Sequence, residues 1–191
     1  MLPSTCTHGI AIALGESAEV AWWSGAPSSS PYKVYEWALQ NGYLSTMGVD
    51  WSSSKGTHLT GTYDLFVGYN NTTALHAFVA AKGVTSEMLT AVLNYRKTNG
   101  GGPTLPNDAS QYYLPSYAEM NAIAAVSNNS FYLTNKIKEA GGTAFTNAYY
   151  WVASDSGNSS SNALKVNPLT GAWNGGDMKT NKFRVRYVFA F

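Results

Sequence analysis

Tyr149-Tyr150-Trp151-Val152-Ala153-Ser154-Asp155 and, at the end of the chain, Phe183-Arg184-Val185-Arg186-Tyr187-Val188-Phe189-Ala190-Phe191 decide the fold. Both alternate large, β-favouring side chains, the pattern of strands with one buried face. Between them the sequence changes character: Ser156, Gly157, Asn158, Ser159, Ser160, Ser161 and Asn162, then Asn167, Thr170, Asn174, Gly175, Gly176, Asp177 and Asn181. Such residues hydrogen-bond readily, carry little net charge and favour turns over element interiors. The pattern predicts a rigid β frame holding out a polar, adaptable surface. That suits binding better than catalysis.

With 191 residues, the chain has the length of one domain with a sizeable core. Charged residues make up only 12%, the formal charge is +1, and no run of three or more Lys or Arg occurs. A nucleic-acid backbone therefore meets no electrostatic footprint, and no nucleic-acid partner is expected. Thirteen Tyr and six Trp fit a recognition surface, although most are expected in the core and in strand pairs. Cys6 is the sole cysteine, which excludes an intrachain disulfide and a Cys-based metal cluster. Ile10–Leu14 is too short to span a bilayer and the N-terminus has no basic leader region, so neither membrane insertion nor a signal peptide is expected.

Upstream of the C-terminal strands, His8–Leu14 reads as a buried strand ended by Gly15, and Ala21-Trp22-Trp23 as a second short one. Ser30 as N-cap and Pro31 at the first helical position start a helix that Asn41-Gly42 stops. Leu44–Thr62 is Ser-, Thr- and Gly-rich and reads as a loop, and Tyr63–Tyr69 as a strand fragment. Helices are predicted over Thr73–Lys82 and Ser86–Thr98, the second capped by Thr85. Leu114-Pro115-Ser116-Tyr117-Ala118-Glu119 combines an extended residue before proline with the spacing of a capping box. A helix burying Met120, Ile123 and Ala124 should follow, then another from Ser130 with Leu133, Ile137 and Ala140 on its inner face. The order of elements is that of an α+β domain with an antiparallel C-terminal sheet.

Signs of chemistry are sparse. His8, His58 and His76 are scattered, and His76, beside Leu75 and Phe78, is expected to be a partly buried structural residue. Gly9 and Gly15 lack the Lys-Ser/Thr of a phosphate loop, and no Gly-x-Ser-x-Gly elbow occurs. Asp155 and Asp177 could form a carboxylate pair, but their Ser, Gly and Asn neighbours offer nothing to tune a pKa. Asp155-Ser156-Gly157-Asn158 and Asn174-Gly175-Gly176-Asp177 carry oxygen ligands suited to calcium without the spacing of an EF-hand, and read better as turns. No metal or cofactor is expected.

Taken in order, Leu114-Pro115-Ser116-x-x-Glu119, Gly141-Gly142, Tyr150-Trp151 with Ser154-Asp155, Asn162-Ala163, Lys179 and the terminal Val185-Arg186-x-Val188-x-Ala190-Phe191 resemble a bacterial and phage domain. That domain carries "LPS…E" and "YWSSTE" motifs, ends in "VRPVRAF", and is a branch of the C-type-lectin-like fold. His8-Gly9-Ile10-Ala11-x-Ala13-Leu14, Trp22-Trp23 and Gly68-Tyr69-Asn70-Asn71-Thr72 resemble its N-terminal half, so the likeness runs over about residues 8–191. The same branch includes the C-terminal domain of a collagen-like adhesin and the variable proteins diversified by retroelements. Asp155–Asn162 and Asn174–Asn181 have the residue palette that adenine randomisation produces, a palette that turn-rich loops share. This chain departs from the pattern with Val152-Ala153 for two Ser, Asp155 for Glu, Tyr187 for Pro and Phe189 for Arg. Formylglycine-generating enzymes share the wider fold but need a late cysteine pair, and the calcium-dependent sugar motifs of animal lectins are absent here.

The resemblance implies a single C-type-lectin-like domain over residues 1–191, with paired terminal strands, flanking helices and an antiparallel C-terminal sheet. Its ligand-binding, variable part would lie at about 149–191. A binding module without chemistry of its own is expected, an adhesin or receptor-binding domain on a bacterial cell surface or phage virion. Its partner would be a protein or glycan receptor on a cell surface. The ligand residues expected to be exposed are Asp155, Ser156, Asn158, Ser160, Asn162, Lys165, Asn167, Asn174, Asp177 and Asn181, with Trp173 as an apolar anchor or as a lid over the core. The alternatives are a polysaccharide-active enzyme or accessory domain using Asp155 and Asp177, and a structural pilus or tail subunit.

Overall fold

The two ends of the sequence meet because each supplies a strand with apolar residues to bury. In the computed structural model, which describes residues 5–6, 9–24, 34–43, 67–101, 104–127, 132–155 and 161–191, β1 (Ile10–Glu16) pairs antiparallel with β7 (Arg186–Ala190). Ile10 lies opposite Ala190 and Ile12 opposite Val188, so the expected pairing of the terminal strands is present. β1 does not end at Gly15, however. Four steps from Ile12 to Glu16 match two from Val188 to Arg186, a bulge that takes carbonyls out of the ladder. Arg186, fully buried, takes them up: its Nη1 donates to Ala13 O at 3.1 Å, with Leu14 O and Gly15 O at 3.4 and 3.5 Å. Its Nη2 donates to Thr143 O at 2.7 Å and to the Glu16 carboxylate at 2.8 Å, and its guanidinium lies 4.4 Å from the Phe145 ring centre. Glu16 also accepts from Arg184 and, at 2.9 Å, from the Tyr150 hydroxyl. Burial lowers the Arg186 pKa and Glu16 works against that. β7 is covered on its other side, where Tyr113 and Val188 exchange backbone bonds of 2.8 and 3.0 Å. Phe191, which exchanges backbone bonds of 3.1 Å with Gly9, is 40% exposed and not part of the core.

The helices are α1 (Val34–Gln40), α2 (Val67–Lys82), α3 (Glu87–Thr98), α4 (Tyr117–Ser127) and α5 (Tyr132–Glu139) among the described residues. The Ser30-Pro31 start, the Leu44–Thr62 loop, residues 63–66 and Ser130 lie outside those residues. α2 begins six residues before the expected Thr73, and Val67–Tyr69 is helix rather than strand. The capping box forms as predicted: Glu119 N donates to Ser116 Oγ at 3.2 Å and Ser116 N to Glu119 Oε2 at 2.6 Å. This turn ties three elements together. Leu114 N donates to Thr72 Oγ1 of α2 at 3.0 Å, and Ala153 N donates to Pro115 O at 2.8 Å. Tyr117 N donates to Ser154 Oγ at 2.9 Å. Gly68 is wedged beneath, where a Cβ would stand 2.6 Å from Leu114 O and from Ser116 N and still nearer Glu119 Oε2. That contact is why glycine sits inside this helix.

Other expectations shift in detail. Ser86, not Thr85, caps α3, accepting from Leu89 N at 3.1 Å. His76 is exposed, because the buried side of α2 is filled by Asn71, Thr72, Ala74, Leu75 and Phe78. Ala140 is exposed too; α5 buries Thr134 and Ile137.

The last forty residues give β3 (Tyr150–Asp155), β4 (Asn162–Val166), β5 (Trp173–Met178) and β6 (Lys182–Phe183) ahead of β7. β3, β4 and β5 form an antiparallel sheet in that order, and β6 pairs with β2 (Val20–Ala21). Trp151 is buried as expected, donating to Val20 O at 2.9 Å and meeting Trp22 and Phe183 edge-on at 5.8 and 4.8 Å. The two layers of the core lie on either side of this sheet.

Candidate functional site

Alternation along β3 and β4 sorts the sheet into two faces. One face bears Tyr150, Val152, Leu164 and Val166, packed with Met120 and Ile123 of α4. The other bears Trp151, Ala153 and Ala163, packed with Trp22 and Trp23. Residues directly opposite across strands share a face. Trp173 lies opposite Val166 and Met178 opposite Asn162, which sets both on the α4 face. Asn174 lies opposite Lys165 and Asp177 opposite Ala163, on the tryptophan face. Three steps along β5 match two along β4 between these pairs, and this extra residue keeps Trp173 and Met178 on one side. The expected ligand residues are therefore divided between two surfaces of one strand. Asn174-Gly175-Gly176-Asp177, read above as a turn, is the middle of β5.

Trp173 is 42% exposed, and its indole meets the Tyr117 ring edge-on at 5.8 Å and 81°. Tyr117 is the first residue of α4, fixed by the capping box and by Ser154, so a rigid device holds the indole. Met178, not anticipated as a site residue, is 51% exposed at the other end of β5. Its signal was five residues of spacing from Trp173, uninformative until the bulge is known.

Lys165 and Asn167 are buried, contrary to the exposure expected of them. The Lys165 stem crosses the sheet face and its ammonium sits 4.1 Å from the Phe183 ring centre, 4.3 Å from that of Tyr149 and 2.5 Å from Asp177 Oδ2. Asp177, partly buried, also accepts from Asn181 Nδ2 at 3.2 Å. Asn167 shapes the turn before Trp173: its Oδ1 accepts from Leu169 N at 3.0 Å, its Nδ2 donates to Asn147 at 2.8 Å, and Gly171 closes the turn at φ 71°. Asn162 is half-buried, while Asn174 and Asn181 are exposed. Asp155 ends β3 opposite Ala163, so it and Asp177 stand two strand spacings apart, ~9.6 Å between Cα atoms. Ser156, Asn158 and Ser160 lie outside the described residues.

Among the described residues no group of three or more His, Cys, Asp or Glu could hold a metal ion. No helix among them is long and apolar enough to cross a membrane. A cavity of about 400 Å³, lined by Leu14, Tyr95, Leu105, Tyr112 and Phe189 among others, lies beside the β1 bulge and contains none of the expected site residues.

No family model matches the chain, and no curated protein matches it. Among solved structures, a fimbrial protein from Bacteroides ovatus ATCC 8483 is similar, with a TM-score of 0.71 at 19% identity. The likeness covers 97% of this chain and 36% of that one, so the chain spans about a third of the fimbrial protein's length. What the two share is a fold: this chain is an α+β domain built like part of a bacterial fimbrial protein.

Proposed function

We propose that this chain is a non-catalytic recognition module of the C-type-lectin-like type, carried on a bacterial surface appendage. It engages a protein or glycan receptor through the β5 side of its C-terminal sheet. The observation that carries the reading is Trp173, 42% exposed on a strand and buttressed by Tyr117. A preorganised indole offers apolar area and one N–H donor with little entropy to lose on binding. Asn181 in the turn after β5, with Asn174 and Asp177 on the face of the strand opposite Trp173, supplies polar contacts to a receptor that grips the β5 edge. Catalysis by Asp155 and Asp177 is disfavoured because the Asp177 carboxylate is already engaged by Lys165 and Asn181.

The test is binding of the wild-type chain and Trp173→Ala to glycan arrays and to cell surfaces. The variant should lose at least about 2 kcal/mol of affinity with its melting temperature nearly unchanged. Equal binding by the variant, or glycan hydrolysis by the wild type, would sink the proposal. A structural subunit is the second reading, favoured by the fimbrial likeness. It is separated from the first by whether the isolated chain binds any receptor. Retroelement diversification of 149–191 has its own test, a near-copy of those codons downstream of the gene that differs at adenines.

A further inference from the structure

β5 ends the order β3-β4-β5, and among the described residues no strand pairs with its outer edge. Its backbone directions follow from the bonds to β4. Lys179 N donates to Ser161 O and Asn167 N to Ala172 O, both at 2.7 Å, which makes 161/179 and 167/172 hydrogen-bonded pairs. The adjacent residues, Met178 and Trp173, therefore turn their N–H and C=O groups away from β4. Both outward positions carry exposed apolar side chains on the same sheet face. Lys, Arg and Pro are missing from Trp173-Asn174-Gly175-Gly176-Asp177-Met178, which leaves Asp177 and the bulge as the features that blunt this edge.

This strand is complementary to itself. Laid antiparallel on a second copy about an axis between Gly175 and Gly176, it sets Trp173 against Met178, Asn174 against Asp177 and Gly175 against Gly176. We propose that β5 pairs in this way with β5 of a second copy of the chain, joining two three-stranded sheets into one. Met178 N donates to Trp173 O, and Trp173 N donates to Met178 O, which takes it beside the bond it already accepts from Asn181 N at 2.8 Å; their side chains, Trp and Met being enriched at interfaces, pack side by side. Asn174 lies opposite Asp177 of the second copy, whose oxygens retain acceptor capacity beyond Lys165 and Asn181. Without the extra residue in β5, Trp173 and Met178 would fall on opposite faces and the match would fail. A pair of six-residue strands is a small interface, so association is weak and depends on concentration.

The experiment is disulfide trapping by register. Positions 173 and 178 of the two copies stand about 5.5 Å apart at Cα, within disulfide reach, whereas 173 and 173 stand ~15 Å apart. Trp173→Cys and Met178→Cys chains, oxidised as an equimolar mixture, should give at least tenfold more covalent dimer than either alone. Cys6 is common to all samples and buried, so it cancels. In parallel, sedimentation should show the wild-type average mass rising with concentration. Met178→Pro, which removes an outward N–H together with the side chain packed on Trp173, should stay monomeric with its fold intact by circular dichroism. Mixed samples that cross-link no better than single ones overturn the proposal. So does a wild type that stays monomeric, or a folded Met178→Pro chain that associates like wild type. These readouts are independent of receptor binding.

Discussion

Replacing Gly68 with alanine sets two effects of known size against each other. Gly68 is the second residue of α2, in its first turn, where exchanging glycine for alanine stabilises a helix by at most the interior value of about 1 kcal/mol. Here the new methyl would stand 2.6 Å from Leu114 O and Ser116 N, and nearer still to Glu119 Oε2. Those backbone atoms cannot yield easily, because Thr72, Ala153 and Ser154 pin the segment. Overpacking of this kind costs about 1–3 kcal/mol. Moving the Glu119 carboxylate off Ser116 N, a 2.6 Å bond, loses a charge-assisted interaction of about 1.5–3 kcal/mol. The propensity gain is outweighed, and the net loss should be roughly 2–5 kcal/mol, a fall in melting temperature of roughly 5–15 °C for a chain this long. Urea titration and calorimetry measure it directly. In a Glu119→Ala background the same substitution should cost at least about 1 kcal/mol less, since the carboxylate clash is gone. A melting temperature that is unchanged or higher in Gly68→Ala would refute the account of the capping-box hub.

Trp151→Ala, which empties the centre of one core layer, should cost about 3–5 kcal/mol by denaturant titration. Ser116→Ala removes the acceptor of Glu119 N and should cost about 1–2 kcal/mol, without altering receptor binding if Ser116 is structural. Burial pushes the Tyr187 hydroxyl up to about 12, so the fold favours its neutral form. Stability should therefore hold below about pH 10, the unfolded value, and fall as pH rises from there towards 12. Tyr187→Phe should flatten that part of the pH–stability curve, although burial also raises Tyr112 and Tyr150 and leaves a residual slope.

What the sequence revealed was whatever is local or strongly periodic. The terminal strands, the Ser116–Glu119 box and the buried Trp151 were all legible, since each rests on spacing within a few residues. The start of α2 was not: Gly68, Asn70 and Asn71 are poor helix formers, and the helix is held there by Thr72 reaching Leu114. Lys165 and Asn167 looked like solvent-facing polar residues, yet their partners Tyr149, Phe183 and Asn147 come from elsewhere in the chain. Gly175-Gly176 read as a turn because glycine weakens strands, which hid that Trp173 and Asn174 face opposite ways. The Trp173 exposure was foreseen as one of two outcomes, and its support by Tyr117 was visible in neither local sequence.

The seam between β1 and β7 has a consequence during synthesis. Arg186 seals carbonyls 173 residues earlier in the chain, so β1 leaves the ribosome long before the strand that completes it. At about 5–20 residues per second, that wait lasts roughly 10–35 s, far longer than helices or hairpins take to form. Through that interval β1 is an apolar strand without its strand partner, open to wrong pairing and to chaperones alike. The order of events on the nascent chain should be helices first, the three-stranded sheet next and the seam last. Final closure is then a single late step that depends on β7.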